Sequence, residues 1–440
     1  MIRIIKIILL LIFLFQGFSL LKAQTLTLLG EAPVAGRIYD IWGYYDSSAN
    51  KEYALIGSTQ GLFIFDVTDP ANPTQVNHLS NVPGFDIKVW QNYAYTVTGG
   101  YSIDGGMIID LTNPSSASVA GTFDSHHNIF IDSAGYMYME APGLKIMSLS
   151  NPLNPTLVFE TLDNEGHDAA RIGNRLFDFH GFDGTNIYNV TNPASPQLLG
   201  SIISPNIVYN HSGWTTEDGN YLFICDELAP SSHTDITVWD IRDYENIIQV
   251  AQYTEPTASI HNLYVKGNYA FVSHYEKGFR IFNISNPLQP QLAAEYDPLP
   301  GSVTGFNGTF GVYIYAPSGN IYISDDDRGL LIFDFDSTNT SVGGGNNVPD
   351  QFVLNQNYPN PFNPVTNISF VVPASELGNQ NIKLKIYNSR GQEVTTLANG
   401  IFSSGIHELQ WSAAGQSSGV YFYELSGRDF VQTKKMVLIK

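Results

Sequence analysis

"GLFIFDVTDPANP", Gly61–Pro73, is the stretch whose reading decides the fold. Gly61 opens it with a residue that tolerates backbone conformations closed to other residues. Alternating apolar positions follow, the pattern of a half-buried strand. The Asp-Pro-x-x-Pro segment then stops the strand, because proline cannot donate to a ladder and presets a turn. The same unit returns as "GFRIFNISNPLQP" from Gly278, "GMIIDLTNPSS" from Gly106, "GLKIMSLSNPLNP" from Gly143 and "GTNIYNVTNPASP" from Gly184. Weaker copies are "DITVWDIRDYENI" from Asp235 and "GLLIFDF" from Gly329, which makes seven.

Two strand-like runs precede each glycine, as in "IHNLYVKG" and "NYAFVSHY", and one follows the prolines, as in "QLLGSI". Four antiparallel strands per unit of about 45 residues, repeated seven times, predict a β-propeller. The last copy lacks the proline turn and outer strand, whereas the segment "TLTLLGEAP" near the N-terminus has the look of that missing strand. Thr25–Glu31 is therefore expected to complete the seventh blade and remove the open sheet edges. Period-2 patterning and the prolines exclude a helical solenoid. These units resemble the LVIVD repeat, and Gln24 to Phe335 resembles the choice-of-anchor B family of secreted propellers. The resemblance implies an architecture rather than an activity, and the WD-repeat signature is absent.

At the N-terminus, "MIRIIKIILLLIFLFQGFSLLKA" runs from basic Arg3 and Lys6 through an apolar stretch to a small residue, Ala23, before Gln24. That order predicts a secretory signal peptide over residues 1–23, cleaved between Ala23 and Gln24. An uncleaved membrane anchor is the competing reading, against which the apolar run is short for spanning a bilayer. The remainder has no second hydrophobic span, so the mature protein is expected to have no transmembrane segment. Cys225 is the only cysteine, so no intramolecular disulfide forms, and its strand-like setting suits an inert buried thiol.

The formal charge is −20. Residues 1–23 carry +3 and residues 350–440 carry +1, which leaves −24 for the body between them. So acidic a body is repelled by nucleic acid and by anionic membranes, but it attracts cations.

Residues 337–350, "STNTSVGGGNNVPD", read as a flexible linker. Residues 351–440 read as a small antiparallel Ig-like β-sandwich, so the fold class is all-β: a seven-bladed propeller over 24–336, then the sandwich. The stretch Gln356-Asn357-Tyr358-Pro359-Asn360-Pro361-Phe362-Asn363-Pro364, the block "KIYNSRGQEV" and the ending "TKKMVLIK" with Lys434, Lys435 and Lys440 stand in order. Together they closely resemble the type A C-terminal sorting domain of the type IX secretion system. The resemblance implies export through the Sec machinery and the outer-membrane translocon of a Gram-negative bacterium. It further implies removal of the domain, and release or surface attachment of the propeller.

In such a propeller each innermost strand starts near the axis at one face, and the second-to-third strand loops return to that face. Aligning the glycines puts seven pairs at one register: Tyr39-Asp40, Phe85-Asp86, His127-Asn128, His167-Asp168, His211-Ser212, His261-Asn262 and Phe310-Gly311. Four consecutive blades thus offer histidine. The returning loops add Glu140, His180, Asp226, Glu227, His274 and Asp325 to Asp327, all expected at the same mouth. Two roles stay open for the histidines. They can tie blades by bonding backbone groups. With the carboxylates they can also hold a divalent transition metal such as zinc, iron or manganese. The asparate run fits no EF-hand spacing. There is no Gly-x-Ser-x-Gly elbow, phosphate loop or His-Glu-x-x-His motif. A non-catalytic module binding an extracellular ligand, protein or glycan is expected; a metal-dependent hydrolase or lyase using the same face is the alternative.

Overall fold

The computed structural model describes residues 25–337, apart from 100–104, 125–126, 162–165, 205–206, 229–234, 256–257, 299 and 301–305. It also describes 353–439, apart from 355–356, 358–359, 373–379, 403–404 and 428–429. Ala23, Gln24, Gln356, Tyr358, Pro359 and Lys440 lie outside the described residues.

Two compact units emerge, and each is all-β. In the first, six four-stranded antiparallel sheets each use four strands consecutive in the chain. The seventh is composite: Thr309–Tyr313, Ile321–Asp325 and Gly329–Asp336 take Thr25–Ala32 as their fourth strand, with Thr25 opposite Asp336. The first strands of the seven sheets line the axis. Ile38–Asp46 lies beside Asp86–Trp90, and the series runs through Asn128–Ile131, Asp168–Ile172 and Asn210–Thr215 to Leu263–Lys266. Thr309–Tyr313 returns to Ile38–Asp46, so the unit is a seven-bladed β-propeller. Its blades bury aliphatic and aromatic residues between neighbouring sheets, such as Ile56, Phe63 and Ile332 at the joint of the first and seventh blades.

The repeat has a local cause. Gly61 has φ +118°, and a Cβ there would lie 2.3 Å from the Leu79 carbonyl oxygen on the outer strand. Gly278 repeats this, with φ +73° and 2.2 Å to the Tyr296 oxygen. Glycine is thus needed for conformation and for close approach together. The Asp and Asn residues after it make Asx turns. Asp66 accepts from the Thr68 N–H at 3.1 Å and Asp69 from the Ala71 N–H at 3.1 Å. Asn283 and Asn286 do the same in the sixth blade.

The second unit packs the sheet Val353–Leu354, Val365–Val372 and Gly405–Ser412 against a second sheet. That one is Glu393–Phe402, Gln380–Asn388, Gly419–Ser426 and Val431–Leu438, and the shared core includes Ile368, Leu384, Trp411 and Tyr423. The opening block of the sorting motif is stitched to the last strand. The Val437 N–H donates to Asn360 Oδ1 at 2.8 Å, and Phe362, itself buried, donates its N–H to the Val437 oxygen at 2.9 Å. Among the described residues, no helix is long and apolar enough to cross a membrane.

Candidate functional site

One aromatic ring from each blade meets at one end of the propeller axis. Centroid separations run Tyr39–Phe85 5.1 Å, Phe85–His127 5.0 Å, His127–His167 4.5 Å and His167–His211 4.2 Å. They continue His211–His261 4.7 Å, His261–Phe310 3.9 Å and Phe310–Tyr39 5.8 Å, which closes a circle of seven. Strict alternation would turn successive residues to opposite faces. The ring residues escape it by preceding the strand, as His127, His167 and His261 do, or by sitting at a register shift. Ile38/Ile41, Asn210/Ser212 and Thr309/Gly311 are such shifts, flanking Tyr39, His211 and Phe310.

Above this circle opens a cavity of about 270 Å³. Four histidines and Glu227 form one side and Tyr39, Phe85 and Phe310 the other; Arg37, Tyr275 and Phe306 add to the wall, as do the polar Asp40, Asp86, Asn128 and Asn262. Glu227 arrives from the end of the strand Tyr221–Asp226; its Oε2 is 3.5 Å from His211 Nε2, and its Oε1 accepts the Tyr275 hydroxyl proton.

The tautomers follow from the hydrogen bonds. His127 Nδ1 faces the Gly99 carbonyl at 2.7 Å and His261 Nδ1 faces the Phe310 carbonyl at 2.6 Å. A carbonyl only accepts, so both Nδ1 atoms carry the proton and both Nε2 atoms keep a lone pair. Burial pushes the His211 and His261 imidazoles down to about 3, with neighbouring histidines adding to it. Burial likewise drives His167 well below its ordinary value and lowers His127. All four are neutral at pH 7, the form that ligates metals. His127 Nε2 and His167 Nε2 stand 3.0 Å apart, and the His167 and His211 rings each have a hydrogen bond with the backbone of the next ring member, His211 and His261.

Ligand atoms of His167, His211 and Glu227 all lie within 4.8 Å of one another. Two ligands of a tetrahedral zinc ion stand about 3.4 Å apart, given bonds near 2.0–2.1 Å. The 3.5 Å between His211 and Glu227 matches that spacing. Donation from a second imidazole nitrogen to a backbone carbonyl, as His127 and His261 make it, is the usual support of a metal-bound imidazole.

Beneath the circle lies a polar layer. Buried Lys88 pairs with Asp86 and reaches Asp40 at 3.1 Å. Asp86 also accepts the Ile129 N–H at 2.7 Å, which joins the second and third blades. Burial and the nearby Asp86 charge push Asp168 up to about 8. Below that, Trp42 reaches across to Tyr264 at 6.3 Å and Phe130 to Trp214 at 6.1 Å, so large rings span the axis.

The structure separates the residues expected at one mouth. His127, His167, His211, His261 and Glu227 line the cavity. Glu140 and His180 do not; they form a second buried cluster with Asp178, whose Oδ2 is 3.1 Å from His180 Nε2. Asp178 went unnoticed in the sequence, although it stands two residues before His180 and so on the same face of its strand. His274 is fully buried and lines no part of the cavity. Asp226 accepts the Val208 and Tyr209 N–H groups at 2.6 and 2.9 Å, holding the approach to His211. Asp325 accepts from the Thr309 hydroxyl at 3.0 Å and Asp326 from the Ile38 N–H at 2.8 Å, the latter tying the seventh blade to the first. Those two carboxylates are occupied by turns and joints. Of the cavity residues not singled out as ligands, Arg37, Tyr275 and Phe306 lie outside the histidines' register, whereas Tyr39, Asp40, Phe85, Asp86, Asn128, Asn262 and Phe310 share it.

Family comparisons match residues 47–79, 85–125 and 259–298 to the LVIVD repeat, and residues 356–440 to the secretion system C-terminal sorting domain. A search of curated proteins finds no match. Among solved structures, the periplasmic gluconolactonase of Pseudomonas aeruginosa is similar over 81% of this chain and 98% of its own, with 10% identity and a TM-score of 0.50. Raptor of Chaetomium thermophilum is similar over 72% of this chain and 30% of its own, with 9% identity and a TM-score of 0.52. At such identities the likeness carries the fold alone. The chain is a secreted protein that carries LVIVD repeats in its propeller and ends in a type IX secretion system C-terminal sorting domain.

Proposed function

We propose that the exported propeller is a binding module whose channel mouth holds one divalent transition metal and, beside it, a small extracellular ligand. His167, His211 and Glu227 would hold the ion, with His127 and His261 completing or bracing the set. The observation that carries this reading is the convergence of neutral imidazoles and one carboxylate on a single cavity wall, two of them braced through Nδ1. Ring stacking between blades would need aromatic residues there, but not nitrogen lone pairs aimed at a shared point. Around this centre, residues 1–23 serve as a cleaved signal peptide, 337–350 as a linker, and 351–440 as the export address. The choice-of-anchor B resemblance fits the same extracellular placement.

Metal analysis of the purified full chain tests the reading. About one equivalent of zinc, manganese or iron is expected in the wild type or after reconstitution, and a large loss in a His167→Ala/His211→Ala variant. Absence of binding in the wild type would overturn it. A metal-dependent hydrolase or lyase is the second reading, favoured by one observation: the carboxylate of Glu227 already accepts a proton donor, Tyr275, at the cavity wall. A metal held by three side chains keeps a position for water and lowers its pKa. Metal-dependent turnover of a simple ester by the wild type, abolished in the same double variant, would favour this reading over pure binding.

A further inference from the structure

The cavity has two unlike halves and one cation at its edge. The histidine side is polar, whereas Tyr39, Phe85 and Phe310 give an apolar wall in which Phe85 meets Phe310 at 5.8 Å across the blades. Phe306, exposed at 42%, and Tyr275 extend that wall outward, their rings 5.3 Å apart. Phe306 thus adds exposed apolar surface at the rim of the cavity.

Arg37 stands at the same edge. Its guanidinium donates to the Phe306 carbonyl at 3.0 Å and forms no ion pair among the described residues. The backbone around it is held: the Arg37 N–H donates to Thr59 Oγ1 at 3.0 Å, and the next N–H, of Ile38, to Asp326 at 2.8 Å. In a body that carries −24 over residues 24–349, carboxylates are plentiful, yet this arginine has none. The carboxylates facing the cavity are otherwise engaged, Glu227 by Tyr275 and His211, and Asp40 and Asp86 by Lys88. A guanidinium keeps its remaining donors in a planar fork suited to carboxylate.

From these features we infer that the cavity takes a small organic anion, one carboxylate joined to a flat or aliphatic apolar body. The carboxylate meets Arg37, or bridges Arg37 and the ion held by the histidines, while the apolar body lies against Tyr39, Phe85, Phe310 and Phe306. The volume of about 270 Å³ lies just under the usual range of small-molecule pockets, about 300–1,000 Å³, which suits a small ligand rather than a long glycan or a folded protein segment within the cavity itself. The inference rests on the channel-mouth binding reading above and names its ligand class.

Calorimetric titration of the full chain with benzoate, its uncharged analogue benzamide and inorganic phosphate tests it, in zinc-loaded and chelator-treated samples. Benzoate is expected to bind at least about tenfold more tightly than either other probe, and Arg37→Gln to remove about tenfold or more of the benzoate affinity, as loss of a charged hydrogen bond does. Zinc content should be unchanged in that variant. Equal affinity for benzoate and benzamide, or unaltered benzoate binding in Arg37→Gln, would overturn the anion. Phosphate binding as tightly as benzoate would overturn the apolar half. Failure of the metal reading is seen separately, as absence of zinc from the wild type; benzoate preference that persists there and still depends on Arg37 supports the ligand class on its own.

Discussion

His127 Nε2 and His167 Nε2 face each other at 3.0 Å across the joint of the third and fourth blades. Because His127 donates through Nδ1 to Gly99, its Nε2 keeps a lone pair that faces His167 Nε2. An ion held by His167 needs the lone pair of one ring nitrogen, so binding fixes the proton on the other. Replacing His167 by alanine is expected to weaken zinc binding at least about a hundredfold, more than the 10–100-fold typical of supporting residues. Competition with a chromogenic chelator reads this directly; an unchanged affinity would remove His167 from the ligand set.

His274 offers a pH test away from the cavity. Its ring is fully buried, and burial pushes it down to about 3 against the opposing hydrogen bond with the Ala258 backbone. Below about pH 6.5 the unfolded chain gains a proton that the folded ring refuses, so stability is lost as pH falls from there towards 3, by up to about 1.4 kcal/mol per pH unit for one such group. Asp235 works in the opposite sense. Burial raises it to about 7, so its contribution falls as pH rises from about 4 to 7. His274→Leu should flatten the drop in Tm between pH 6.5 and 5, while at pH 7.5 it costs only the Ala258 hydrogen bond, about 0.5–1.5 kcal/mol. Parallel Tm–pH curves for variant and wild type would contradict this.

Lys88 is the cation of the polar layer beneath the ring, with side chains of Asp40, Asp86 and Lys88 all almost fully buried. Lys88→Met removes the charge and keeps most of the volume. Leaving Asp86 uncompensated should cost about 3–5 kcal/mol by denaturant titration, and Lys88→Met/Asp86→Asn should recover part of it. An additive double variant would show that the pair is uncoupled.

In the sorting domain, folding and recognition are expected to fall on different residues. Phe362 is buried against the sandwich core, so Phe362→Ala should destabilise the domain by about 3–5 kcal/mol. Asn363 and Lys435 are exposed, and alanine there should change stability by under about 0.5 kcal/mol while reducing the amount of protein reaching the medium or cell surface. Normal export of an Asn363→Ala/Lys435→Ala variant would move recognition elsewhere on the domain.

The propeller was legible because its unit is locally encoded. Gly61, the alternation behind it and the Asx turns of Asp66 and Asp69 act within a dozen residues, and seven copies repeat the message. The ring register was legible for the same reason, once the glycines were aligned. The returning loops were not. Asp226 and Glu227 are neighbours of similar chemistry, yet Asp226 is captured by two backbone N–H groups while Glu227 enters the cavity. Glu140, at the matching strand end two blades earlier, turns to Asp178 and His180. One residue of offset at a strand end reverses the face, and loops from other blades decide which acid is taken. Arg37 lies just before its strand, and its position depends on Thr59 and Asp326, which are distant in the chain.

An anomalous difference map from a crystal of the full chain grown with zinc tests the central claim most directly. The account expects one peak in the propeller mouth, about 2.0–2.2 Å from an imidazole nitrogen of His167, Nε2 of His211 and an oxygen of Glu227. A map with no peak at those three side chains, at a zinc concentration that fills other sites in the crystal, would contradict it.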